Sequence, residues 1–225
     1  MWWIALIALV ALTVMIFVCV GVNKEEKDDF SVRRTNYSRQ EEKGERGELY
    51  ARTVLSSIVG DNGKLLKNVL LPVGRNGGKT EADCIIVSSK GIFCIEIKTW
   101  VGHICGDDFC EYWTQKYDDG SSDRQHKNPV LQNEKHCDVL AKRLRGIYDV
   151  SNIVLLCGEA DYSDVISEYT FNLSGFKNFY RASVGNKLKS EEVQNIYEYL
   201  KAYEATKEEL CVFKEQMRNK YGERN

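Results

Sequence analysis

The sequence predicts an α/β domain, a mixed central sheet flanked by helices, preceded by one N-terminal transmembrane helix. Three observations carry that expectation. Residues 2–22 hold no charged side chain. Residues 83–88 and 92–99 are β-branched and apolar segments on either side of the turn Ser89-Lys90-Gly91. Apolar residues at helical spacing recur before and after this pair. With 225 residues, 43% hydrophobic, 28% charged and only 2 Pro, the chain is not disordered or low-complexity. Lys and Arg number 31 against 33 Asp and Glu, a net charge of -2, so nucleic acid cannot be held by bulk charge and any such binding is local.

The elements follow in order. A helix over residues 2–22, at about 1.5 Å per residue, spans about 30 Å, the hydrocarbon thickness of a bilayer. Trp2 and Trp3 stand at its outer end, where amphipathic rings favour the interface. No Lys or Arg precedes the run, and the bulky Phe17-Val18-Cys19-Val20 lacks the small residues of a cleavage site, so the span is expected to be retained. Lys24, Lys27, Arg33, Arg34 and Arg39 all follow it, which places the N-terminus outside and the soluble domain in the cytoplasm. The eight cysteines form no secreted framework and are expected as reduced, mostly buried thiols.

Residues 23–43 mix both charges and read as a charged linker, either a solvated tether or an exposed helix; residues 44–158 form the globular domain and 159–225 a C-terminal extension. Ala51, Val54, Leu55 and Ile58 make the buried stripe of a helix over 45–60. A strand over 65–73 ends at Pro72 and the glycine-rich turn that follows. After the central hairpin, a strand is expected over 103–113 with a break near Gly106, then a polar loop over 117–128. Asn128 and Pro129 cap a helix over 129–145. Residues 152–157 read as a buried strand, and all strands are expected in one sheet. One long helix over 190–217, capped by Ser190 with Glu191 and Glu192 in its first turn, completes the chain. Its Tyr197, Leu200, Tyr203, Leu210 and Phe213 are spaced to pack on the domain or on a second copy in a homo-oligomer, and no chemistry is expected from it.

The hairpin carries the chemistry. If Ser88 faces Gly91, then Asp83 opposes Glu96, and directly opposed Cβ atoms lie about 4.5–5.5 Å apart. Lys98 shares their face. Two carboxylates this close repel unless a cation lies between them, either Lys98 or a metal. Oxygen ligands suit Mg²⁺ or Mn²⁺, which can polarise a phosphoryl group and acidify a water molecule. Lys98 could orient that water or stabilise the developing charge. The plain alternative for these three residues is a solvated face or a cross-strand ion pair. Their setting among Ile92, Phe93, Ile95 and Ile97 favours a purpose for the charges.

Glu-Arg-Gly-Glu (45–48), Glu-Ala-Asp-Cys-Ile-Ile-Val (81–87), Gly-Ile-Phe-Cys-Ile-Glu-Ile-Lys-Thr (91–99), Gly-His-Ile-Cys-Gly (102–106), Trp113 and Asn-Pro-Val-Leu-Gln (128–132) occur in this order. Together they resemble the nuclease-related domain (NERD), a branch of the PD-(D/E)xK restriction-endonuclease-like superfamily. The resemblance implies a restriction-endonuclease-like core and Mg²⁺- or Mn²⁺-dependent hydrolysis of phosphodiester bonds. It implies Asp83 and Glu96 as metal-binding carboxylates, with the Ile97 carbonyl as a further ligand, and Lys98 as the catalytic lysine. Glu48 would help hold or position the metal shell, and Gln132 would face the same cleft. Cys84 stands where the family typically has His, but that position points to the opposite face. By themselves Glu48 would be a first-turn acid favoured by the helix dipole and Gln132 an exposed helix residue.

Other groups of residues compete with these. His103, Cys105, Cys110, His136 and Cys137 suggest zinc, but Cys105-x4-Cys110 is loose and no second pair has ligand spacing. Gly74, Gly77 and Gly78 lack the Lys-Ser/Thr of a phosphate loop and fit a turn. Lys and Arg at 124, 127, 135, 142, 143 and 145 against Glu134 and Asp138 could neutralise phosphates beside the cleft or form a solvated helix face. The expected function is a membrane-anchored nuclease acting on DNA or RNA. The alternative is a non-catalytic nucleic-acid- or protein-binding module on the same fold, and a metal or redox sensor using the thiols is a third class. Opposed carboxylates repel phosphate, which favours the enzyme.

Overall fold

A computed structural model of the chain describes residues 42–74, 77–185 and 187–222. The span expected over 2–22 and nearly all of the 23–43 linker lie outside these. Among the described residues no helix is long and apolar enough to cross a membrane. The chain divides between Glu45 and Arg46, and the architecture below belongs to the second unit.

Helix α1 covers residues 42–59, beginning before the expected residue 45, and a 3-10 turn at Gly60–Asn62 follows. Strands β1 (Gly63–Val73), β2 (Gly78–Ser88) and β3 (Gly91–Lys98) form an antiparallel meander. Then come β4 (His103–Asp107), β5 (Tyr112–Lys116), β6 (Arg124–Lys127), α2 (Pro129–Arg143) and β7 (Val150–Leu156). Strands β8 (Asp161–Ile166) and β9 (Thr170–Phe171) lead into α3 (Leu173–Ala182), α4 (Ser190–Lys201) and α5 (Lys207–Gly222). The fold is mixed α/β, but the strands form two sheets where one was expected. The first has the order β1-β2-β3-β7-β9 and the second β6-β5-β4-β8, each with parallel and antiparallel pairs.

Alternation builds the layers. On one face of the first sheet, Ile85, Val87, Ile92 and Cys94 pack with Leu140 and Leu144 of the α2 region and Val193, Ile196 and Leu200 of α4. On the other, Cys84, Ile86, Phe93, Ile95 and Ile97 pack with Ala51, Leu55 and Val59 of α1 and Phe176 and Tyr180 of α3. Ile104 and Trp113 of the second sheet meet Val130, Val154 and Leu156 in a third cluster.

Several local expectations are corrected. The break in 103–113 falls after Asp107, because its Oδ1 accepts the N–H groups of Phe109 and Cys110 and turns the chain there. Gly106 instead makes room: a Cβ on it would lie 2.4 Å from the Trp113 ring. The polar 117–128 loop contains β6, which pairs with β5 through residues too polar to read as a strand, such as Gln125 on Thr114 and His126 on Gln115. The helix over 129–145 stops at Arg143, where Arg145 and Gly146 take positive φ and the Gly146 N–H closes on the Ala141 carbonyl.

The last correction concerns the C-terminal helix, which is broken between α4 and α5. Tyr203 accepts from the Leu70 N–H, Ala205 donates to the Asn68 carbonyl, and Glu204 accepts from the Lys67 N–H, so the edge of β1 draws this segment out of helical conformation. At the start of α4 the Glu192 carboxylate accepts the Lys189 N–H, and Ser190 is the first helical residue rather than the cap. Among the described residues all cysteines are free, with Cys84, Cys94 and Cys137 buried, Cys105 and Cys157 partly so, and Cys110 and Cys211 exposed; fewer are buried than expected.

Asn128 is the N-cap of α2 as expected, with its side chain accepting from Val130 N and donating to the carbonyls of Asp107 and Cys110. Asn128→Ala removes the cap and the side-chain donor to the Cys110 carbonyl, and is expected to cost roughly 1–2 kcal/mol in chemical denaturation.

Candidate active site

The β2–β3 register pairs Cys84 with Ile95 and Ser88 with Gly91, as the hairpin arithmetic requires. Beyond Cys84 the ladder stops. Asp83 pairs with neither β1 nor β3, although Lys67↔Cys84 and Val69↔Ala82 flank it on the β1 side, so the expected direct opposition of Asp83 and Glu96 is not formed. Its carboxylate Oδ2 instead accepts the Ile97 N–H at 2.8 Å. Across from it on β1, Asn68 takes a φ of 50°. Here the alternation slips by one residue. Ala82 lies in the same cluster as Ile85 and Val87, and Thr80 reaches His136 on α2.

Glu48, Asp83, Glu96, Ile97, Lys98 and Gln132 all line one cleft of about 510 Å³ at this opening. Glu96 is 4% exposed, and on its strand it continues the α2-facing row of Ile92 and Cys94. Lys98 Nζ donates to Glu96 Oε1 at 2.7 Å and to Gln132 Oε1 at 3.3 Å, and Gln132 Nε2 donates to the same Glu96 oxygen at 2.9 Å. Glu96 Oε1 is thus saturated, while Oε2 is directed toward His136 Nε2, 3.8 Å away. The Lys98 carbonyl accepts from Cys157 beside β7, so the Ile97 backbone groups face the opposite way, toward Asp83. Glu48 arrives from α1 and pairs with Arg52 at 3.1 Å. Gly47 permits its approach, because a Cβ there would lie 2.5 Å from the Thr99 methyl at the end of β3.

One acid, a threonine and a histidine join the expected residues. Glu81, two residues before Asp83, lines the cleft, as do Thr80 and His136. Glu81 sits in the Glu-Ala-Asp block, yet strict alternation gives no reason to separate it from a solvated edge. His136 follows Gln132 by one helical turn, a spacing that could have been used. The C-terminal helix also contributes, contrary to expectation: Phe213, Lys214, Met217 and Arg218 of α5 form part of the wall. By contrast, none of the basic residues at 124, 127, 135, 142, 143 and 145 lines the cleft. One of them, Arg143, is spent on the Pro72 carbonyl.

Burial and mutual repulsion set the electrostatics. Burial, then Glu96, pushes the Asp83 carboxyl up to about 6, and burial, then Asp83, pushes Glu81 up to about 7. Glu48 is raised by the same two causes in the same order. Burial works against the Lys98 ammonium, but Glu96 more than offsets it and the pKa lies above the ordinary value. Burial lowers His136 to about 4, so its ring is neutral. Carboxylates that gain protons so readily are short of positive charge.

The donor set is rich in oxygen and suits a divalent cation in kind, while among the described residues no three ligand atoms of the cleft's acids and His136 lie within 4.8 Å of one another. Glu81 Oε1 and His136 Nε2 are buried without hydrogen-bond partners, Glu96 has an oxygen to spare, and a backbone carbonyl completes the group. Asp83, Glu96 and the Ile97 carbonyl would hold the ion, with Glu48 and Glu81 beside it. A second cluster lies on the other sheet, where ligand atoms of His103, Cys105 and Asp164 fall within 4.8 Å of one another. There both His103 ring nitrogens are already on carboxylates, Asp161 at 3.0 Å and Asp164 at 2.9 Å. Cys110, His136 and Cys137 do not join it.

Residues 43–157, about half of the chain, match the nuclease-related domain. An uncharacterized protein of Bacillus anthracis is 33% identical over 94 residues, which cover 42% of this chain and 43% of that protein. The chain therefore spans less than half the length of that relative. No solved structure matches significantly.

A raised carboxyl stabilises the fold below its unfolded value, and that contribution is lost as pH climbs through the folded value. With Glu81 moving from 4.5 to about 7 and Asp83 from 3.8 to about 6, the chain in chelator is expected to lose stability between pH 4 and pH 7. Glu81→Gln should flatten that decline and raise the melting temperature at pH 8 by roughly 2–4 °C per kcal/mol of repulsion relieved. Melting curves across pH, parallel for the two proteins, would contradict this.

Proposed function

The chain belongs to the nuclease-related domain family, and from that premise we propose that its cleft hydrolyses the phosphodiester bonds of DNA or RNA with Mg²⁺ or Mn²⁺. The observation that carries the reading is the meeting of Asp83, Glu96 and Lys98 at the β2–β3 opening, with Glu48 and Gln132 on the same cleft. A restriction-endonuclease-like arrangement is supported by helices on both faces of a mixed sheet and by this placement of the acids at its centre.

In the reaction, a water oxygen adds to phosphorus, the ester P–O bond breaks, and the departing oxygen takes up a proton. A divalent ion, when bound, supplies Lewis-acid polarisation of the phosphoryl group. The protein supplies the rest. Lys98, kept protonated by Glu96, acts as a donor rather than a base; it would orient the attacking water or stabilise the charge that develops on phosphate oxygens. Gln132 bonds both Glu96 and Lys98 and fixes their separation. Lys214 and Arg218 place positive charge on the cleft wall, the local supply that a net charge of -2 makes necessary.

Incubation of the chain with DNA and with RNA, in Mg²⁺, Mn²⁺ or chelator, tests this. Cutting is expected only with metal and should fall roughly 100-fold or more in Lys98→Ala. Cutting unchanged in Lys98→Ala and Asp83→Asn would trace to a contaminant, and binding without cutting in either ion would favour a non-catalytic module.

The uncharged run 2–22, with basic residues only after it, supports a tether that leaves the domain on the cytoplasmic side. The chain should remain in the membrane pellet after alkaline carbonate extraction, and deletion of 2–22 should release it.

A further inference from the structure

We propose that His136 is a direct ligand of the cleft's cation and makes the site select Mn²⁺ over Mg²⁺. This rests on the cleft being the divalent-ion site of a nuclease. His136 stands one turn after Gln132 on α2, 8% exposed, with its ring held between two elements. On one side Nδ1 lies 2.7 Å from the Thr80 hydroxyl. On the other, Nε2 is buried, has no hydrogen-bond partner, and lies 3.8 Å from Glu96 Oε2, an oxygen that neither Lys98 nor Gln132 uses.

That separation is too long for a hydrogen bond. It suits two donors of one ion, because ligand distances of about 2.0–2.1 Å allow a span of up to about 4.2 Å. Thr80 supplies the remaining requirement. A histidine that ligates through one nitrogen gives its other N–H to an oxygen, which fixes the tautomer and aims the free lone pair. The Thr80 hydroxyl can accept from Nδ1, leaving Nε2 as the lone-pair atom directed at Glu96. A histidine present only for packing would instead leave a lone pair or an unused N–H buried against a carboxylate.

The consequence is selectivity. Mg²⁺ prefers an all-oxygen shell with several waters, whereas an imidazole in the shell favours transition ions. The oxygen donors Asp83, Glu96 and Glu81 alone would suit either ion. Adding Nε2 shifts the preference to Mn²⁺.

Mn²⁺ and Mg²⁺ chlorides are titrated calorimetrically into the 225-residue chain in detergent, and the Mn²⁺ complex is examined by pulsed electron paramagnetic resonance. Mn²⁺ is expected to bind more tightly than Mg²⁺, and His136→Gln to weaken Mn²⁺ roughly 10-fold or more while changing Mg²⁺ less than about 3-fold. Nitrogen modulation of the directly coordinated kind should appear in the wild type, convert to the ¹⁵N pattern with ¹⁵N-histidine, and persist in His103→Asn, which removes the exposed cluster. The His103→Asn spectrum, in which His136 is the histidine that lines the cleft, decides the matter even if His136→Gln folds poorly. Bound Mn²⁺ without histidine nitrogen, or equal Mn²⁺ affinity in folded His136→Gln, overturns the assignment. Histidine coordination without cutting of any nucleic acid would leave it standing and sink the nuclease reading instead; cutting without histidine nitrogen would do the reverse.

Discussion

The hydrogen bond from the Ile97 N–H to the Asp83 carboxylate is the constraint on which the cleft depends. In a regular hairpin that amide would meet a backbone carbonyl of β2. Here a side chain takes it, so the two central strands can part without orphaning the donor. Parting opens the cleft, and the same bond anchors Asp83 at its mouth. The acid is held by the strand that carries Glu96 and Lys98, so the three groups keep their spacing as one unit.

Around this unit the charge balance is lopsided. Glu48, Glu81, Asp83 and Glu96 converge on a cleft where Lys98 is the cation bound to the central acid, with Lys214 and Arg218 on the far wall. Buried like charges destabilise a fold unless something compensates, and the fold concentrates them all the same. Helix α1 is brought close through a glycine against Thr99, and α2 contributes a glutamine bonded to both the acid and the lysine. Elements with separate hydrophobic reasons to pack on the sheet thereby deliver polar groups to one point.

The hairpin and its register were legible because the turn at Ser89-Lys90 and a period of two determine which residues face each other. The apolar stripes of α1 and α2 and the Asn128 cap were legible for the same local reason. What escaped was non-local. No pattern in the chain shows that Asn68 adopts a left-handed conformation and that β2 slips a residue at Asp83, so Thr80 would be assigned to the wrong face and His136 left without its partner. Strand β6 is polar because it is an exposed outer strand of its sheet, and composition hid it. The interruption before α5 depends on hydrogen bonds to β1, more than a hundred residues earlier, which helical periodicity cannot register. The gathering of Glu48 and Gln132 beside the acids came from the family resemblance, not from spacing.

That same interruption bears on the open edge of the sheet. Strand β1 is the outermost strand of its sheet, and an outermost strand offers unsatisfied amides and carbonyls to any passing chain. Residues 203–205 lie along it and occupy the N–H of Lys67, the carbonyl of Asn68 and the N–H of Leu70. A two-hydrogen-bond splint from the chain's own backbone, reinforced by a glutamate, therefore blunts this edge over its middle stretch, so that the sheet cannot be extended there by a stranger's strand.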